Sequence, residues 1–254
     1  MTVLAVEGLS KSFDGVRAAQ NVGFTVNAGE LVALIGPNGA GKSTTFNMVG
    51  GQLKPDSGRI LLDGNDIAGL SPRLILRRGV GRTFQIAQSF LSMTVIENVQ
   101  LAIAARERET MRMGAPLRGL HADEAQTLLD KVGVADQAET LVAHLAYADI
   151  KRVEFALALA ARPRMLLMDE PTAGMAPAER KSLMTLVATT AKTNGAAVLF
   201  TEHDVASVFA HADRVLVMAR GEIIARGAPD EVRADPLVRE VYLGRSAGTP
   251  GGQR

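Results

Sequence analysis

The sequence predicts an α/β fold with a mostly parallel sheet, and three patterns carry this prediction. Short apolar runs such as LVALI at 31–35 are continuously hydrophobic, as strands buried on both faces are. Helical patterns lie between several of these runs, as expected for crossover helices between parallel strands. From about residue 86 to 162 the strand pattern stops and helical periodicity replaces it. With 254 residues, 47% of them apolar, the chain can bury a large core.

The predicted strands follow one another along the chain. LAVEGL and NVGFTV near the N-terminus are short β-type runs, and we expect them to pair antiparallel. The later predicted strands are LVALIG at 31–36, RILLDG at 59–64, GVGRTF at 79–84, RMLLMDE at 164–170, AAVLFTE at 196–202 and RVLVMARGEII at 214–224. Together they predict an α/β core made of residues 1–85 and 163–244.

Residues 86–162 are predicted to form a helical subdomain inserted into this core. Thr94 and Glu97 have the spacing of a capping box, which predicts a helix through VQLAIAARERE. A second helix is expected from about 121 to 132, ending at Gly133, and a third from about 149 to 161. The last ten residues, 245–254, contain Gly and Pro but no large apolar side chain, which predicts a disordered tail.

Charge and composition exclude several classes of function. Lys and Arg number 28 against 27 Asp and Glu, so the net charge of +1 gives no long-range attraction to nucleic acid. The absence of cysteine excludes disulfides and thiolate metal sites and fits a reducing compartment. No run has the character of a signal peptide or a membrane span. We therefore expect a cytosolic protein that a partner would have to hold at any membrane.

The run GPNGAGKS at 36–43 has the pattern of a phosphate-binding loop between a buried strand and a helix. Its glycines let backbone N–H groups converge on phosphate oxygens, Lys42 can reach the terminal phosphates, and the Ser43 hydroxyl can bind Mg²⁺. The alternative is a Gly-rich turn with an incidental Lys. The predicted ATP-binding residues here are Gly36, Pro37, Asn38, Gly39, Ala40, Gly41, Lys42, Ser43 and Thr44.

Two adjacent carboxylates end another predicted buried strand, in RMLLMDEPT at 164–172. At that edge of a parallel sheet they would face the phosphate-binding loop. Asp169 suits the shell of a Mg²⁺ ion, and Glu170 is placed to orient or deprotonate an attacking water. The alternative is a solvated acidic turn before Pro171. Gln85 and His203 also end predicted strands, where such residues taken alone are more often structural.

The order of these motifs resembles that of the ATP-binding subunits of ABC transporters across nearly the whole chain. Within that family the sequence is most similar to the subunits that serve branched-chain amino acid uptake, whose near relatives carry urea, amides and other small polar solutes. The resemblance rests on GPNGAGKST at 36–44, FNMVGGQLKPDSGRILLDG at 46–64, RTFQ at 82–85, MTVIENV at 93–99, DEPTAGMAP at 169–177, TEHD at 201–204 and VREVYLG at 238–244.

The resemblance implies an ATPase that uses ATP and Mg²⁺. In it Gln85 would contact Mg²⁺ and the attacking water, and His203 would hydrogen-bond the γ-phosphate. Phe13 would stack on adenine, whereas without the resemblance it is simply a core aromatic. The helical insert would dock onto integral membrane permease subunits at the cytoplasmic face of the inner membrane, and a solute-binding protein would act indirectly. The alternatives are a soluble ABC protein of translation or DNA repair and a phosphate-loop kinase or GTPase.

The segment LAYAD departs from the family pattern, whose usual form is Leu-Ser-x-Gly-Gln and which completes the ATP site of a facing subunit. Ala148 replaces Gly, which matters if the loop needs a positive φ, and Asp149 replaces Gln, which places a carboxylate near phosphate. Ala176 is a similar departure in AGMAP at 173–177. This weakened signature predicts pairing with a second, different ABC ATPase subunit, and a homodimer is the alternative. A further alternative is that the segment is a normally capped helix with no role in the ATP site of a facing subunit. The signature residues are Leu145, Ala146, Tyr147, Ala148 and Asp149.

Overall fold

The computed structural model describes residues 1–83, 89–108 and 119–243, without the side chains of residues 242 and 243. Its larger sheet has six strands in the order β10-β9-β3-β8-β7-β6, of which β10 is antiparallel to β9 and the others are parallel. These strands are β3 Leu31–Ile35, β6 Val80–Thr83, β7 Met165–Asp169, β8 Ala197–Thr201, β9 Arg214–Ala219 and β10 Glu222–Gly227. The predicted mostly parallel α/β fold is confirmed.

A second, antiparallel sheet is built from the N-terminal strands in the order β2-β1-β4-β5. Its strands are β1 Thr2–Phe13, β2 Val16–Asn27, β4 Ser57–Leu62 and β5 Asn65–Asp66. β1 pairs antiparallel with both β2 and β4, which confirms the expected antiparallel N-terminal pairing. Strand β5 was not predicted from the sequence.

The helices connect these strands and cover the six-stranded sheet. They are α1 Lys42–Val49, α2 Pro72–Arg77, α3 Val95–Glu107, α4 Ala122–Val132, α5 Tyr147–Ala160, α6 Pro177–Asn194, α7 Val205–His211, α8 Pro229–Ala234 and α9 Pro236–Val238. Within the ranges that the structure describes, none of the helices is both long and apolar enough to cross a membrane.

The central strand β3 is apolar throughout because both of its faces are buried. Val32 and Leu34 belong to the core shared with the antiparallel sheet and α1, together with Phe46. Leu31, Ala33 and Ile35 point to the opposite face and join a second core that includes residues of α3, α4 and α5, such as Phe155. Because side chains alternate along a strand, a fully apolar sequence is needed to bury both faces.

Two helix boundaries within 86–162 agree with their sequence signals. The backbone N–H of Glu97 donates to the Thr94 hydroxyl oxygen at 3.3 Å, and the Thr94 N–H donates to the Glu97 carboxylate at 2.9 Å. This is the predicted capping box. Helix α4 ends at Gly133, whose φ of 76° places it in the left-handed region. The division of the chain into a core and a subdomain remains a prediction, and the predicted tail lies outside the described residues.

Two sequence predictions of element bounds are wrong. The run at 214–224 is a hairpin and not a single strand, because Arg220 and Gly221 have φ values of 51° and 85° and reverse the chain between β9 and β10. The third predicted helix begins at Tyr147, two residues earlier than expected, since Ala146 is already the extended residue that precedes the first turn.

Candidate functional site

The loop between β3 and α1 is held against two neighbouring strands at its glycines. Gly36 has a φ of 150° and Gly41 a φ of 103°. A Cβ on Gly36 would lie 2.1 Å from the carbonyl oxygen of Met218 in β9, and a Cβ on Gly41 would lie 2.1 Å from that of Ala18 in β2. Both distances are too short for any side chain, so the loop conformation depends on these two glycines.

Lys42 begins α1 and its side chain folds over the loop. Its ammonium donates to the carbonyl oxygens of Gly36 at 2.7 Å and Pro37 at 3.0 Å. Burial lowers the pKa of Lys42, while the negative charges of Glu170 and Asp169 act against this. The predicted lysine and carboxylates therefore face one another across one site.

The remaining residues of the predicted phosphate-binding loop differ in exposure. Asn38, Gly39 and Ser43 are exposed at the mouth of the loop, whereas Ala40 is buried and Thr44 is half-buried. Ser43 and Thr44 lie in the first turn of α1, whose backbone N–H groups have no partner within the helix. The positive end of α1 thus lies at the loop that the sequence predicts to bind phosphate.

Asp169 ends β7 and is fixed by polar neighbours. The Thr201 hydroxyl at the end of β8 donates to its Oδ1 at 2.7 Å, and the guanidinium of Arg82 in β6 lies 3.6 Å from its Oδ2. Since β8 separates β7 from β3 in the sheet, both the acidic strand end and the phosphate-binding loop lie at one sheet edge. The tertiary structure thus assembles residues that are more than a hundred positions apart.

Glu170 and His203 are in direct contact. The imidazole Nε2 of His203 lies 2.6 Å from Oε1 of Glu170, with the histidine more than half exposed and the glutamate mostly buried. Glu170 has a φ of 50°, a strained conformation for a non-glycine residue. Its backbone N–H donates to the Thr201 hydroxyl at 3.1 Å, which holds this conformation. The two residues that were separate candidates in the sequence thus lie in direct contact.

Thr201 and Glu202 also belong to this site, although neither was predicted from the sequence. Thr201 contacts both Asp169 and Glu170, as described above. Glu202 is buried and accepts hydrogen bonds from the backbone N–H of Thr172 at 3.0 Å and from its hydroxyl at 2.6 Å. Together they hold the turn that follows Glu170. Their signal was present in the run TEHD at 201–204, where polar residues end a buried strand.

The structure describes Phe13 but not Gln85, the two remaining residues of the predicted ATP site. Phe13 ends β1 with 45% of its surface exposed, and the Lys11 ammonium lies 5.7 Å from its ring centroid. The interpretation of Phe13 as a core aromatic is therefore wrong, and its stacking on adenine stays a prediction. Gln85 lies outside the described residues, so its predicted contacts with Mg²⁺ and water also stay predictions.

The predicted signature segment forms the start of α5. Leu145 packs against the core, and Ala146 is the extended residue before the helix, with φ −63° and ψ 150°. Ala148 lies in the first helical turn and is not among the residues with positive φ. Alanine therefore causes no backbone strain at this position.

The two residues flanking Ala148 contact other parts of the same chain. The side-chain amide of Gln137 donates to Asp149 at 3.0 Å. The Tyr147 hydroxyl donates to the Ala173 carbonyl at 3.1 Å. The start of α5 is thereby tied to the segment that follows Glu170.

The site combines a phosphate-binding loop on a parallel sheet with an acidic strand end and a glutamate–histidine pair. This combination defines a nucleotide-hydrolysing protein of the phosphate-loop class. Comparisons with known proteins specify the family. The profile described as ABC transporter matches residues 19–173, and the profile described as Branched-chain amino acid ATP-binding cassette transporter matches residues 222–248. The chain belongs to the ATP-binding cassette family of ABC transporters, and it is an ATPase.

Relatives and solved structures agree with this assignment. The chain is 38% identical over 253 residues to the high-affinity branched-chain amino acid transport ATP-binding protein LivG of Escherichia coli, covering 96% of this chain and 98% of that protein. It is 36% identical over 244 residues to the lipopolysaccharide export system ATP-binding protein LptB of Haemophilus influenzae, with the same coverage. The crystal structure of the ADP conformation of MJ1267, an ATP-binding cassette of an ABC transporter, aligns with a TM-score of 0.84 at 33% identity, over 96% of this chain and 99% of that one.

Proposed function

We propose that this chain is the energy-coupling ATPase of an ABC importer for branched-chain amino acids or a related small polar solute. Relatives named for amino acid transport and for lipopolysaccharide export differ by only two percentage points of identity, so overall similarity does not separate them. The observation that carries the proposal is the match of residues 222–248 to the branched-chain amino acid cassette profile. The match covers β10, α8 and α9, which lie outside the residues that bind nucleotide.

The loop residues 36–44 would hold the phosphates of ATP through backbone N–H groups and Lys42. Glu170 would accept the proton of the attacking water, because its mostly buried carboxylate directly follows β7, at the sheet edge that also carries the phosphate-binding loop. His203 would hold that carboxylate in place through the 2.6 Å contact and hydrogen-bond the γ-phosphate. The hydrogen bond from the Glu170 backbone N–H to the Thr201 hydroxyl would hold Glu170 in its left-handed conformation and so keep the carboxylate in position before substrate binds.

The donor atoms near the loop fit Mg²⁺. In the described part of the chain, no three His, Asp or Glu side chains converge into an all-protein metal cage. Ser43 and Asp169 offer a hydroxyl and a carboxylate, and Mg²⁺ in phosphate sites binds one or two such oxygens together with phosphate oxygens and water. When bound, Mg²⁺ would neutralise charge that develops on the phosphates. Gln85 would complete its shell.

The signature segment would serve the ATP site of a facing subunit. The N–H groups in the first turn of α5 would point at the γ-phosphate of that subunit. Asp149 places a carboxylate in this turn, which is unfavourable next to triphosphate. We therefore propose that the chain pairs with a second, different ABC ATPase subunit whose signature completes the site of Lys42 and Glu170. A homodimer is the alternative.

The membrane partners follow from the proposed transport role. Residues 86–162 would dock onto integral permease subunits at the cytoplasmic face of the inner membrane, and a separate binding protein would deliver the solute. Closure of two ATPase subunits around ATP, followed by hydrolysis and opening, would switch the permease between its inward-facing and outward-facing states.

The first experiment tests the hydrolytic role of Glu170. Glu170→Gln keeps the shape of the side chain but removes the base, so ATP turnover should fall by about 10²–10⁴-fold while binding of a fluorescent ATP analogue persists. Glu179→Gln is the matched control, since Glu179 is an exposed residue in the first turn of α6. Equal turnover of the two variants would contradict the proposed base.

The same Glu170→Gln protein tests the pairing. Size-exclusion chromatography with Mg-ATP should show a monomer if a different partner subunit is required. An ATP-dependent homodimer would refute the proposal of an obligatory second subunit.

The solute is tested in cells that carry the chain. Replacing the chain with its Glu170→Gln variant should abolish uptake of labelled leucine, isoleucine and valine, and the Glu179→Gln replacement should not. Loss of urea or amide uptake instead would assign one of those solutes. Unchanged uptake of all of them, with an altered outer membrane, would support an export role like that named for LptB.

A further inference from the structure

Arg82 in β6 carries a mostly buried guanidinium that has no role in the function proposed above. Its side chain is 12% exposed. Its Nη1 donates to Oε1 of Gln52 at 2.6 Å, and its Nη2 donates to Oδ1 of Asn47 in α1 at 2.9 Å. The same Nη2 lies 3.6 Å from Oδ2 of Asp169 at the end of β7. One guanidinium therefore bridges α1 and β7.

The space for this guanidinium depends on Gly50, the residue that follows α1. A Cβ on Gly50 would lie 2.7 Å from Nη1 of Arg82 and 2.4 Å from Oε1 of Gln52. Gly50 has a φ of −82°, so its backbone conformation does not itself require glycine. The missing side chain therefore leaves room that the guanidinium and its amide partner occupy.

Each end of the bridge lies beside a residue that would bind Mg²⁺. Ser43 and Asn47 are four positions apart in α1, so their side chains lie on one face of that helix. Asp169, at the other end, is the proposed carboxylate ligand. Arg82 thus links the helix face that carries Ser43 to the carboxylate of Asp169.

Arg82 also restricts the orientation of the Asp169 carboxylate. Oδ1 accepts a hydrogen bond from the Thr201 hydroxyl at 2.7 Å, and Oδ2 faces Arg82. The terminal torsion of an aspartate is soft, so a contact to one oxygen leaves the carboxylate able to rotate. Contacts to both oxygens restrict this rotation. Groups that orient a metal ligand in this way change metal affinity by about 10–100-fold.

Stability alone does not account for a guanidinium at this position. Removing a charge from water costs free energy, and apolar residues of similar volume often stabilise a fold as well as a buried ion pair does. Residues 84–88, which follow β6 and lie outside the described ranges, include no charged side chain. By its charge Arg82 would repel Mg²⁺, so any gain in metal affinity that it gives must come from geometry.

We propose that Arg82 is a positioning residue for the Mg²⁺ of the ATP site. Its guanidinium holds the carboxylate of Asp169 and the Ser43 face of α1 in the arrangement that the metal requires, without touching the metal. The inference rests on the proposed binding of Mg²⁺ by Ser43 and Asp169, and it adds a residue that prepares this site before nucleotide arrives.

The test keeps the charge of Arg82 and removes its planar fork. Arg82→Lys retains one positive charge but cannot bridge Asn47 and Asp169 as a guanidinium does. Arg59→Lys is the matched control, since Arg59 lies in the other sheet and pairs with a carboxylate, that of Glu7 at 2.7 Å. Circular dichroism verifies folding. If Arg82→Lys does not fold, Gly50→Ala, which displaces the guanidinium without removing it, takes its place in the comparison.

The measurements separate metal binding from nucleotide binding and need no hydrolysis. Mn²⁺ replaces Mg²⁺, because both prefer octahedral oxygen sites. With protein in excess over ADP, the EPR signal of free Mn²⁺ gives the dissociation constant of Mn²⁺ for the protein–ADP complex. ADP affinity is measured separately in EDTA. Arg82→Lys should raise the Mn²⁺ dissociation constant about tenfold relative to Arg59→Lys and leave ADP affinity in EDTA unchanged.

Two results would overturn the proposal. One is an equal Mn²⁺ dissociation constant for Arg82→Lys and Arg59→Lys. The other is a loss of ADP affinity in EDTA as large as the loss of Mn²⁺ affinity, because it would show general damage to the loop.

Asp169→Asn distinguishes failure of this inference from failure of the proposed Mg²⁺ site. If Asp169→Asn weakens Mn²⁺ binding and Arg82→Lys does not, the metal site stands and the role of Arg82 is refuted. If Asp169→Asn leaves Mn²⁺ binding unchanged, the proposed metal site is itself wrong, and the role of Arg82 is refuted with it.

Discussion

Replacing Gly41 by alanine should destabilise the folded protein far more than the same change at Gly39. Both glycines lie in the phosphate-binding loop with positive φ, 103° at Gly41 and 77° at Gly39. They differ in their surroundings. A Cβ at Gly41 would lie 2.1 Å from the Ala18 carbonyl oxygen, whereas a Cβ at Gly39 meets no described atom within 4 Å.

The magnitude follows from two contributions. Left-handed backbone costs an alanine about 1–2 kcal/mol, and this applies to both positions. At Gly41 either the loop or β2 must also move by roughly 1 Å in a close-packed region, which costs about 1–3 kcal/mol more. We therefore expect a loss of about 3.5 kcal/mol for Gly41→Ala and about 1.5 kcal/mol for Gly39→Ala. For a chain of this size these losses lower Tm by about 7–14 °C and 3–6 °C, respectively.

The assay is thermal unfolding of each variant without nucleotide, followed by circular dichroism. Working without nucleotide separates the clash within the chain from any clash with a bound phosphate. Similar Tm values for the two variants would refute the argument that the contact with β2, and not φ alone, requires glycine at position 41.

Three further predictions concern the signature segment and an ion pair. Asp149→Gln should raise ATP turnover of the assembled complex about fivefold, since removing a carboxylate near phosphate changes the interaction free energy by about 1 kcal/mol. Ala148→Gly should not raise turnover, because Ala148 is helical with negative φ. If Asp149→Gln gives no gain, the signature is not weakened. Tyr147→Phe should lower the free energy of unfolding in urea by about 0.5–1 kcal/mol, because the hydrogen bond to Ala173 is lost. Tyr147→Leu, which also loses the ring, is the comparison. An unchanged denaturation midpoint for Tyr147→Phe would show that this hydrogen bond contributes nothing. The hydrogen bond from Arg106, with a further contribution from Arg162, lowers the pKa of Glu124 to about 2, so below the ordinary pKa of 4.5 the unfolded chain binds more protons and stability is lost as pH falls towards 2. Glu124→Gln should reduce the loss of unfolding free energy between pH 5 and pH 3, measured by urea titration, by roughly 1–2 kcal/mol. An identical loss in both proteins would contradict the assignment.

Much of the fold was predictable because its signals are local. The phosphate-binding loop, the capping box at Thr94 and Glu97, and the left-handed end of α4 at Gly133 each depend on residue types within a few positions. The hairpin at 220–221 was missed because an Arg-Gly turn inside an apolar run looks like continued strand until the pairing of β9 with β10 is known.

The sequence by itself determined the class of chemistry, since Lys42, Asp169 and Glu170 follow buried strands in a recognisable order. Only the tertiary structure decided how these residues act together. Sheet order brings His203 to Glu170 and Thr201 to Asp169, and a Gly41 contact with β2 fixes the loop. It likewise places Arg82 between α1 and Asp169. Such contacts join residues far apart in the chain, and local sequence patterns place Asp169 and Glu170 at the sheet edge of the loop without determining which side chains meet there.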